Sequence, residues 1–486
     1  MENKYSNKPF VMVIFGATGD LAHHKLIPAL FSLFKQGKLP KKFIIVGFAR
    51  REMSQFEYRE SFEQFYGKEH WDEFSSHLYY LRGDFSNIEY YHELLDILNG
   101  FDKETKIFTP KFLYLATPPQ NYNDILDNIE KSNLPIQGGE ENKKKVRVVV
   151  EKPFGKDLKT AGDLEKRLSH IFEEEQIFRV DHYLAKETVQ NMITFRFANG
   201  IFEPVWNKNY IDHVQITFSE KQGIGTRGKF FDGVGILRDV GQNHIMQLIA
   251  AVAMDQPKSF EKEAIRDERF KVIDSLRPIK PAEVSKFTVR GQYEGYLNEA
   301  DVDKKSNTGT FNALKLFVDT DRFKGVPFYV RAGKHMPSST VYISIVFIQT
   351  CHILFKEFGC PEIGNVLTIK IQPDEGISMR VIAKKPGDKV TLGNVNMKFT
   401  YEEEFGEKLR NAYEKILLDI FSGDQLLFNR TDELHSSWEF ITKILKGWEI
   451  QSASGKWKMP KYKKETWGPK ESFDLIENDG RKWLDY

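Results

Sequence analysis

Cysteine is almost missing from the chain: Cys351 and Cys360 are the two in 486 residues. A disulfide framework is therefore excluded as the source of stability, and a reducing compartment is the natural setting. Cys351 stands beside His352 without matching ligands nearby in sequence, so the pair is read as structural and no metal is expected. Charge of one sign is equally scarce, with Lys+Arg 70 against Asp+Glu 69 and a net charge of +1. A dedicated nucleic-acid binder carries a basic excess, so no nucleic acid partner is expected and any anion site must be a local cluster. No apolar run reaches the roughly 20 residues of a membrane span. The longest near the candidate site, Leu248 to Met254, is read as part of an amphipathic helix. Met1 to Asn7 lacks the apolar core of a signal peptide, and Trp483-Leu484-Asp485-Tyr486 carries no retention or lipid signal. The expectation is a cytoplasmic protein with no membrane partner. Internal repeats and long low-complexity linkers are lacking as well.

What is present describes a globular protein, 41% hydrophobic and 29% charged. The length exceeds what one hydrophobic core usually organises, so two domains are expected. In the first, Phe10-Val11-Met12-Val13-Ile14-Phe15 is an unbroken apolar run, the signature of a strand buried on both faces. It leads into Gly16-Ala17-Thr18-Gly19-Asp20-Leu21-Ala22, then a helical pattern through Leu26, Ile27, Leu30, Phe31 and Phe34, then a second buried strand, Phe43 to Gly47. Strand, glycine turn, helix and strand form a βαβ unit of the kind that binds dinucleotides, with the pyrophosphate at the helix N-terminus. Thr18 departs from the usual G-x-G-x-x-G, so the turn alone is a weak signal. The second strand ends in Arg50-Arg51, where an NAD site carries an acid. A guanidinium binds a 2′-phosphate and a carboxylate repels one, so the cofactor is read as NADP.

Further parallel-type strands are predicted at Phe112 to Ala116 and Val146 to Val150, the latter running into Glu151-Lys152-Pro153-Phe154-Gly155. Loops past the carboxyl ends of such strands line the ligand crevice, which puts Lys152 on the same rim as the glycine turn. Gly138 to Lys145 reads as an exposed loop, and a packing helix follows Gly155 through Leu164, Leu168, Ile171 and Phe172.

The densest chemistry lies at Arg179-Val180-Asp181-His182-Tyr183-Leu184-Ala185-Lys186-Glu187, charged residues flanked by apolar ones. Charge in such company is desolvated and needs partners. An Asp beside a His can orient an imidazole, and His, Tyr and Lys together can cradle an anion. A turn with surface ion pairs is the plain alternative. Beyond residue 200 the pattern turns to strands: His213 to Phe218, Phe287 to Tyr293, Ala313 to Phe317, Val341 to Phe347, Val366 to Ile371 and Met397 to Tyr401. They predict a large antiparallel sheet packed by helices on one face, leaving the other for a subunit interface. Gly235 to His244 runs into a helix whose stripe is Ile245, Leu248, Ile249 and Val252, with His244 at its border. The basic-aromatic segment from Lys456 to Lys464 is read as a solvated tail that packs its aromatics on the sheet rather than as a nucleic-acid site.

These stretches resemble the glucose-6-phosphate dehydrogenases. The resemblance rests on Gly16 to Ala22, Glu151 to Gly155, Val180 to Glu187, Arg196 to Asn199, Arg238-Asp239 with Gln242-Asn243-His244, and Gly325 to Phe328, in that order. It implies an α/β Rossmann dinucleotide-binding domain, 1–180, followed by an α+β domain, 181–486, with a large, mainly antiparallel sheet that pairs subunits as a homodimer or homotetramer. It implies oxidation of glucose 6-phosphate with NADP. His244 then falls at the general base and Asp181 at the carboxylate that orients it. His182, Tyr183 and Lys186 fall at the phosphate; Lys152, Glu220, Asp239, Lys334 and Gln372 around the sugar; and Gly16, Thr18, Gly19, Asp20, Leu21, Arg50 and Lys152 at the coenzyme. Departures are Ser339, where relatives commonly have a second base, Ala185 for a usual glycine, and Ser378 for an aromatic of a second, structural NADP site. Arg331, Lys370 and Arg380 remain basic there, yet that second site is expected to be absent. Two rivals remain: NAD-linked oxidation of a broader range of hexose phosphates, and a catalytically silent NADP-binding sensor.

Overall fold

A computed structural model describes residues 8–66, 70–136, 138–349, 355, 358, 361–406, 411–455 and 457–486. Cys351, His352, Cys360 and Lys456 lie outside the described residues. The chain divides into two units, the first comprising residues 1–185, 261–263 and 410–434, the second 186–260, 264–409 and 435–486.

In the first unit the apolar runs become the strands β1 (Phe10–Phe15), β2 (Phe43–Ala49), β3 (Leu78–Arg82), β4 (Lys111–Leu115), β5 (Val146–Glu151) and β6 (Ile177–Val180). All pair in parallel, in the order β6-β5-β4-β1-β2-β3. Every residue of β1, β2 and β4 is buried, which is why these stretches read as continuous hydrophobic runs without alternation. Strand order reverses between β1 and β4, so their carboxyl ends open a crevice there. The helix after the glycine turn, Ile27–Lys35, is preceded by a π-type turn over Ala22–Leu26. The helix Leu158–Ile171 opens on a capping box in which Asp157 Oδ1 accepts from the Thr160 backbone N–H at 2.8 Å.

Two features of this unit differ from the sequence expectation. The predicted loop at Gly138 to Lys145 winds into a 3₁₀-helix over Glu140–Lys145; its two acidic residues come first and its three lysines last, which complements the helix dipole. The unit is also discontinuous, extending to residue 185 and regaining the chain at 410–434. The returning segment supplies the helix Ala412–Ser422 and a two-residue strand, Phe428–Asn429, paired antiparallel to Val180 and Arg179. It is docked by side chains: Arg147 donates to the Ile420 carbonyl at 2.5 Å, and Gln425 to the carbonyls of Glu174 and Ile177 at 2.8 and 2.9 Å.

The second unit is built on β7 (Ile211–Glu220), β8 (Thr288–Tyr293), β9 (Phe311–Phe317), β10 (Pro327–Lys334), β11 (Thr340–Phe347), β12 (Val366–Gln372), β13 (Gly376–Lys384) and β14 (Leu392–Thr400). Among the described residues its sheet runs β14-β13-β12-β11-β7-β10-β9-β8 and ends on the short strand Lys461–Tyr462. Pairing is antiparallel except between β7 and β10 and between β8 and that last strand. The basic-aromatic segment is therefore an edge strand as well as a packed tail. Tyr462 is buried, and Trp457 covers the Arg290 guanidinium at 4.1 Å. The helix Met246–Ala253 is not amphipathic as expected, because all eight of its residues are buried. Met246 and the alanines between the larger side chains leave Gln247 as its one polar residue, and so apolar a helix belongs inside. No helix among the described residues is long and apolar enough to cross a membrane.

Candidate active site

In the first unit the candidate residues follow the carboxyl ends of adjacent parallel strands. Gly16 leaves β1 with φ of +90°, and a Cβ there would lie 2.6 Å from the Ala116 carbonyl oxygen and 2.8 Å from Thr117 Cγ2. The turn is thus pressed against the loop after β4, at the strand-order reversal, and only glycine fits. Its backbone is pinned by Gly16 N–H to the Phe48 carbonyl at 2.8 Å and Gly19 N–H to the Gly16 carbonyl at 3.0 Å. Thr18, Gly19 and Leu21 are half-buried and Asp20 is exposed. A tight turn entering a helix N-terminus is a fitting cradle for a pyrophosphate. Arg50, exposed at the end of the neighbouring β2, rests over the Phe85 ring at 5.7 Å, on the same rim.

Lys152 and Asp181 leave the sheet side by side, because Glu151 pairs in register with Val180. Asp181 is buried; its Oδ1 accepts from the Tyr183 backbone N–H at 3.0 Å, and its carbonyl accepts from Leu184 N–H at 3.1 Å. This Asx-type turn sets the carboxylate and presents His182 and Tyr183, whose rings lie 4.9 Å apart. Arg179, two residues earlier, is fully buried and meets the demand for partners made by its charge. Glu165 and Glu174 both hold its guanidinium at 2.6–2.9 Å, with Thr431 Oγ1 at 2.7 Å and the Asn429 carbonyl at 3.3 Å. Glu151 is buried too, and burial pushes its carboxyl up to about 6. Phenols and Lys152 oppose that rise, while the charge of Asp181 adds to it.

In the second unit, parallel pairing of β7 with β10 puts Glu220 opposite Lys334 at one edge of the sheet. The two side chains form an ion pair, and the Lys334 amine also lies 3.4 Å from Asp239. Lys334 is buried, with Phe231 5.1 Å from its amine, and Arg227 approaches Asp239 at 3.7 Å. Asp239 lies in a π-type stretch, Leu237–Ile245, that also carries His244. The His244 ring is buried and nearly parallel to Phe218 of β7, 6.1 Å away at 8°. Gln372 ends β12, two strands from β7 on the same edge, since Val341 pairs with both Gln372 and Phe218. Lys186 stands just before the helix Glu187–Phe197 and donates to Gln372 Oε1 at 2.6 Å. Burial lowers the Lys186 ammonium below its ordinary range, with Glu375 opposing.

The structure thus gathers Glu220, Asp239 and Lys334 into one charged cluster and Lys186 with Gln372 into another. Gly16, Thr18, Gly19, Asp20, Leu21, Arg50, Lys152, Asp181, His182 and Tyr183 belong to the first unit. Ser339 supplies no cation; its Oγ accepts from the Lys221 backbone N–H at 3.0 Å and ties the loop back onto β7. The Arg331 guanidinium lies 4.5 Å from the rings of both Trp467 and Trp483 and is bonded to Asp485, while its Nη1 has no hydrogen-bond partner among the described residues. Lys370, Ser378 and Arg380 line a cavity of about 770 Å³ that also holds Lys398 and four carboxylates, Asp374, Glu375, Glu402 and Glu403. Sequence reasoning missed Tyr413, whose ring lies 6.3 Å from that of His182 at 19°. It carries no motif and reaches the site only through the returning segment.

Comparison with known proteins points one way. A family model described as the NAD binding domain of glucose-6-phosphate dehydrogenase matches residues 13–191, and one described as its C-terminal domain matches residues 193–484. The chain is 41% identical over 496 residues to the glucose-6-phosphate 1-dehydrogenase of Chlamydia pneumoniae, covering 98% of this chain and 96% of that one. It is 41% identical over 488 residues to that of Aggregatibacter actinomycetemcomitans, covering 97% and 96%. Among solved structures, a glucose-6-phosphate dehydrogenase in complex with its substrate glucose-6-phosphate superposes with a TM-score of 0.89 at 34% identity, covering 98% of this chain and 99% of that one.

Proposed function

The chain belongs to the glucose-6-phosphate dehydrogenase family, and we propose that it oxidises D-glucose 6-phosphate at C1 to 6-phospho-D-glucono-1,5-lactone with transfer of hydride to NADP, the first step of the oxidative pentose phosphate pathway. The observation that carries this is the likeness, over nearly the whole chain, to a structure solved with glucose 6-phosphate bound. NADP, when bound, supplies the hydride acceptor. Gly16, Thr18, Gly19, Asp20 and Leu21 would hold its pyrophosphate side and Arg50 its 2′-phosphate, with Lys152 also a coenzyme contact.

The chain's own residues do the rest. His244 accepts the proton of the C1 hydroxyl as the hydride departs, and the Asp181 carboxylate orients the ring and stabilises the imidazolium. Such a base is worth ~10²–10⁴-fold in rate. His182, Tyr183 and Lys186 bind the phosphate, each charged hydrogen bond contributing roughly 1.5–3 kcal/mol. That remote binding energy holds C1 in place and selects the phosphorylated sugar over the free one. Lys152, Glu220, Asp239, Lys334 and Gln372 bind the sugar. Glu220 supports its part in this, because its side chain stays 34% exposed while its partner Lys334 is 3% exposed. One Glu220 oxygen is thus left to accept from a hydroxyl.

Assembly as a homodimer or homotetramer through the large sheet belongs to the same proposal. Val395 and Met397, on one face of the edge strand β14, are 48% and 56% exposed, which suits a surface that a second copy covers. A cytoplasmic setting belongs to it too, in keeping with two cysteines in 486 residues. The test is the initial rate of NADPH formation with glucose 6-phosphate or with unphosphorylated glucose. Rapid turnover of the first and slow turnover of the second is expected; equal rates would refute the phosphate-binding roles.

A further inference from the structure

A buried carboxylate without a charge partner in bonding range is costly unless donors surround it, and among the described residues Glu151, at the end of β5, is such a group. One of its oxygens, Oε1, accepts from two phenols, Tyr114 Oη at 2.6 Å and Tyr413 Oη at 3.2 Å. A third phenol, Tyr122 Oη, donates to the Glu151 backbone carbonyl at 3.1 Å. The next residue in the chain is Lys152. Tyr413 comes from the returning segment, and its ring faces that of His182 in an offset stack, 6.3 Å between centroids and 19° between planes. The segment does not depend on Tyr413 for docking. Arg147, Gln425 and Arg179 hold it elsewhere, and Asn411 caps its helix by accepting from the Tyr413 backbone N–H at 3.0 Å. What the phenol–carboxylate bond adds is the orientation of one ring, the ring against which His182 lies.

We propose that Glu151, acting through the phenol of Tyr413, is a positioning residue for substrate: it fixes the plane on which His182 stacks and so sets the affinity for the sugar phosphate. This rests on the assignment of His182 to the phosphate. A charged acceptor suits the task, since its hydrogen bonds are shorter and about twice as strong as neutral ones and hold a ring more firmly. The charges that bear on Glu151 are those of Lys152, which favours its ionised form, and Asp181, which disfavours it. Removing the link frees the Tyr413 ring without removing it, so loss of phosphate affinity should exceed loss of turnover.

Steady-state kinetics of the full chain test this with Tyr413→Phe, Glu151→Ala, Glu151→Gln, the double variant Glu151→Ala/Tyr413→Phe and, as reference, His182→Ala. Tyr413→Phe and Glu151→Ala should each raise KM for glucose 6-phosphate about tenfold, equivalent to about 1.4 kcal/mol. KM for NADP should hold and kcat should change less. Glu151→Gln, which still accepts from the phenols, should recover most of the affinity. The double variant should be no worse than either single one, because both break the same link. Should Glu151→Ala fail to fold, Tyr413→Phe and Glu151→Gln carry the comparison. A wild-type KM for glucose 6-phosphate in Tyr413→Phe, with a raised KM in His182→Ala, overturns the inference alone. Parallel losses in every constant together with a lowered Tm overturn it in favour of a purely structural role. A wild-type KM in His182→Ala overturns the phosphate assignment beneath it.

Discussion

Two buried cations, one in each unit, are treated in opposite ways. Arg179 in β6 has every guanidinium nitrogen bonded, to Glu165, Glu174, Asn429 and Thr431, and its side chain is 1% exposed. Lys334 at the end of β10 is as deeply buried, yet it meets Glu220 and Asp239 at a strand terminus where Glu220 still reaches solvent. Burial of charge therefore does not by itself mark a functional residue. A saturated cation is a structural clamp, and one whose partner Glu220 still reaches solvent is the one proposed to serve sugar hydroxyls. The same contrast separates the sheets: in the first unit the candidate residues sit on loops beyond parallel strands, whereas in the second several are the last residues of the strands themselves.

The sharpest way to break the contrast is to remove both cations. Arg179→Met should cost about 3 kcal/mol of stability, the low end for breaking a buried pair, because it leaves the half-buried carboxylates of Glu165 and Glu174 together without their cation. Urea denaturation measures this, and the folded fraction should keep its KM values. Lys334→Met should lose less stability and instead reduce kcat/KM for glucose 6-phosphate roughly 10- to 150-fold, the equivalent of about 1.5–3 kcal/mol. Equal stability losses with unchanged kinetics would erase the distinction.

Arg50 tests the loop side of the comparison. Arg50→Ala should lower kcat/KM for NADP by roughly 10- to 100-fold, the worth of a charge-assisted bond to a 2′-phosphate, and leave that for NAD nearly unchanged. An unaltered coenzyme preference would remove Arg50 from the site and favour the NAD-linked rival. The smallest effect concerns Glu151. Its carboxyl lies at about 6 in the folded chain against an ordinary 4.5, so the native state holds the proton more tightly than the unfolded state. That contribution to stability is fully present below the lower value and is lost as pH rises through the higher one, about 2 kcal/mol in all. The stability of the wild type relative to Glu151→Gln should therefore fall by about 2 kcal/mol between roughly pH 4 and pH 7.5. Denaturation series at both ends measure it, and a difference independent of pH would contradict the raised carboxyl.

Much of the fold was legible because buried parallel strands leave unbroken apolar runs. β1, β2, β4 and β5 were predicted to within a residue or two, and β7 to β14 were visible as β-rich stretches except β10 and β13. The glycine turn and Arg50 could be placed by their strands alone. The pairing of Lys186 with Gln372 could not, because spacing says nothing about residues 186 positions apart. For those residues the resemblance carried the expectation. The returning segment was invisible for a different reason: Phe428–Asn429 is a strand of two residues, too short for any periodicity. The helix Met246–Ala253 was misread as amphipathic, because a stripe at helical spacing says nothing about burial of the opposite face when that face is mostly alanine, with Met246 and Gln247.

Everything proposed for the chemistry converges on the His244 imidazole as acceptor of the C1 hydroxyl proton. The most direct measurement is kcat for His244→Asn beside the wild type, at saturating glucose 6-phosphate and NADP, with the affinity for NADP measured separately. A fall of about 10²–10⁴-fold in kcat, with coenzyme affinity retained, is the predicted result. Turnover equal to the wild type would contradict it and would require another base.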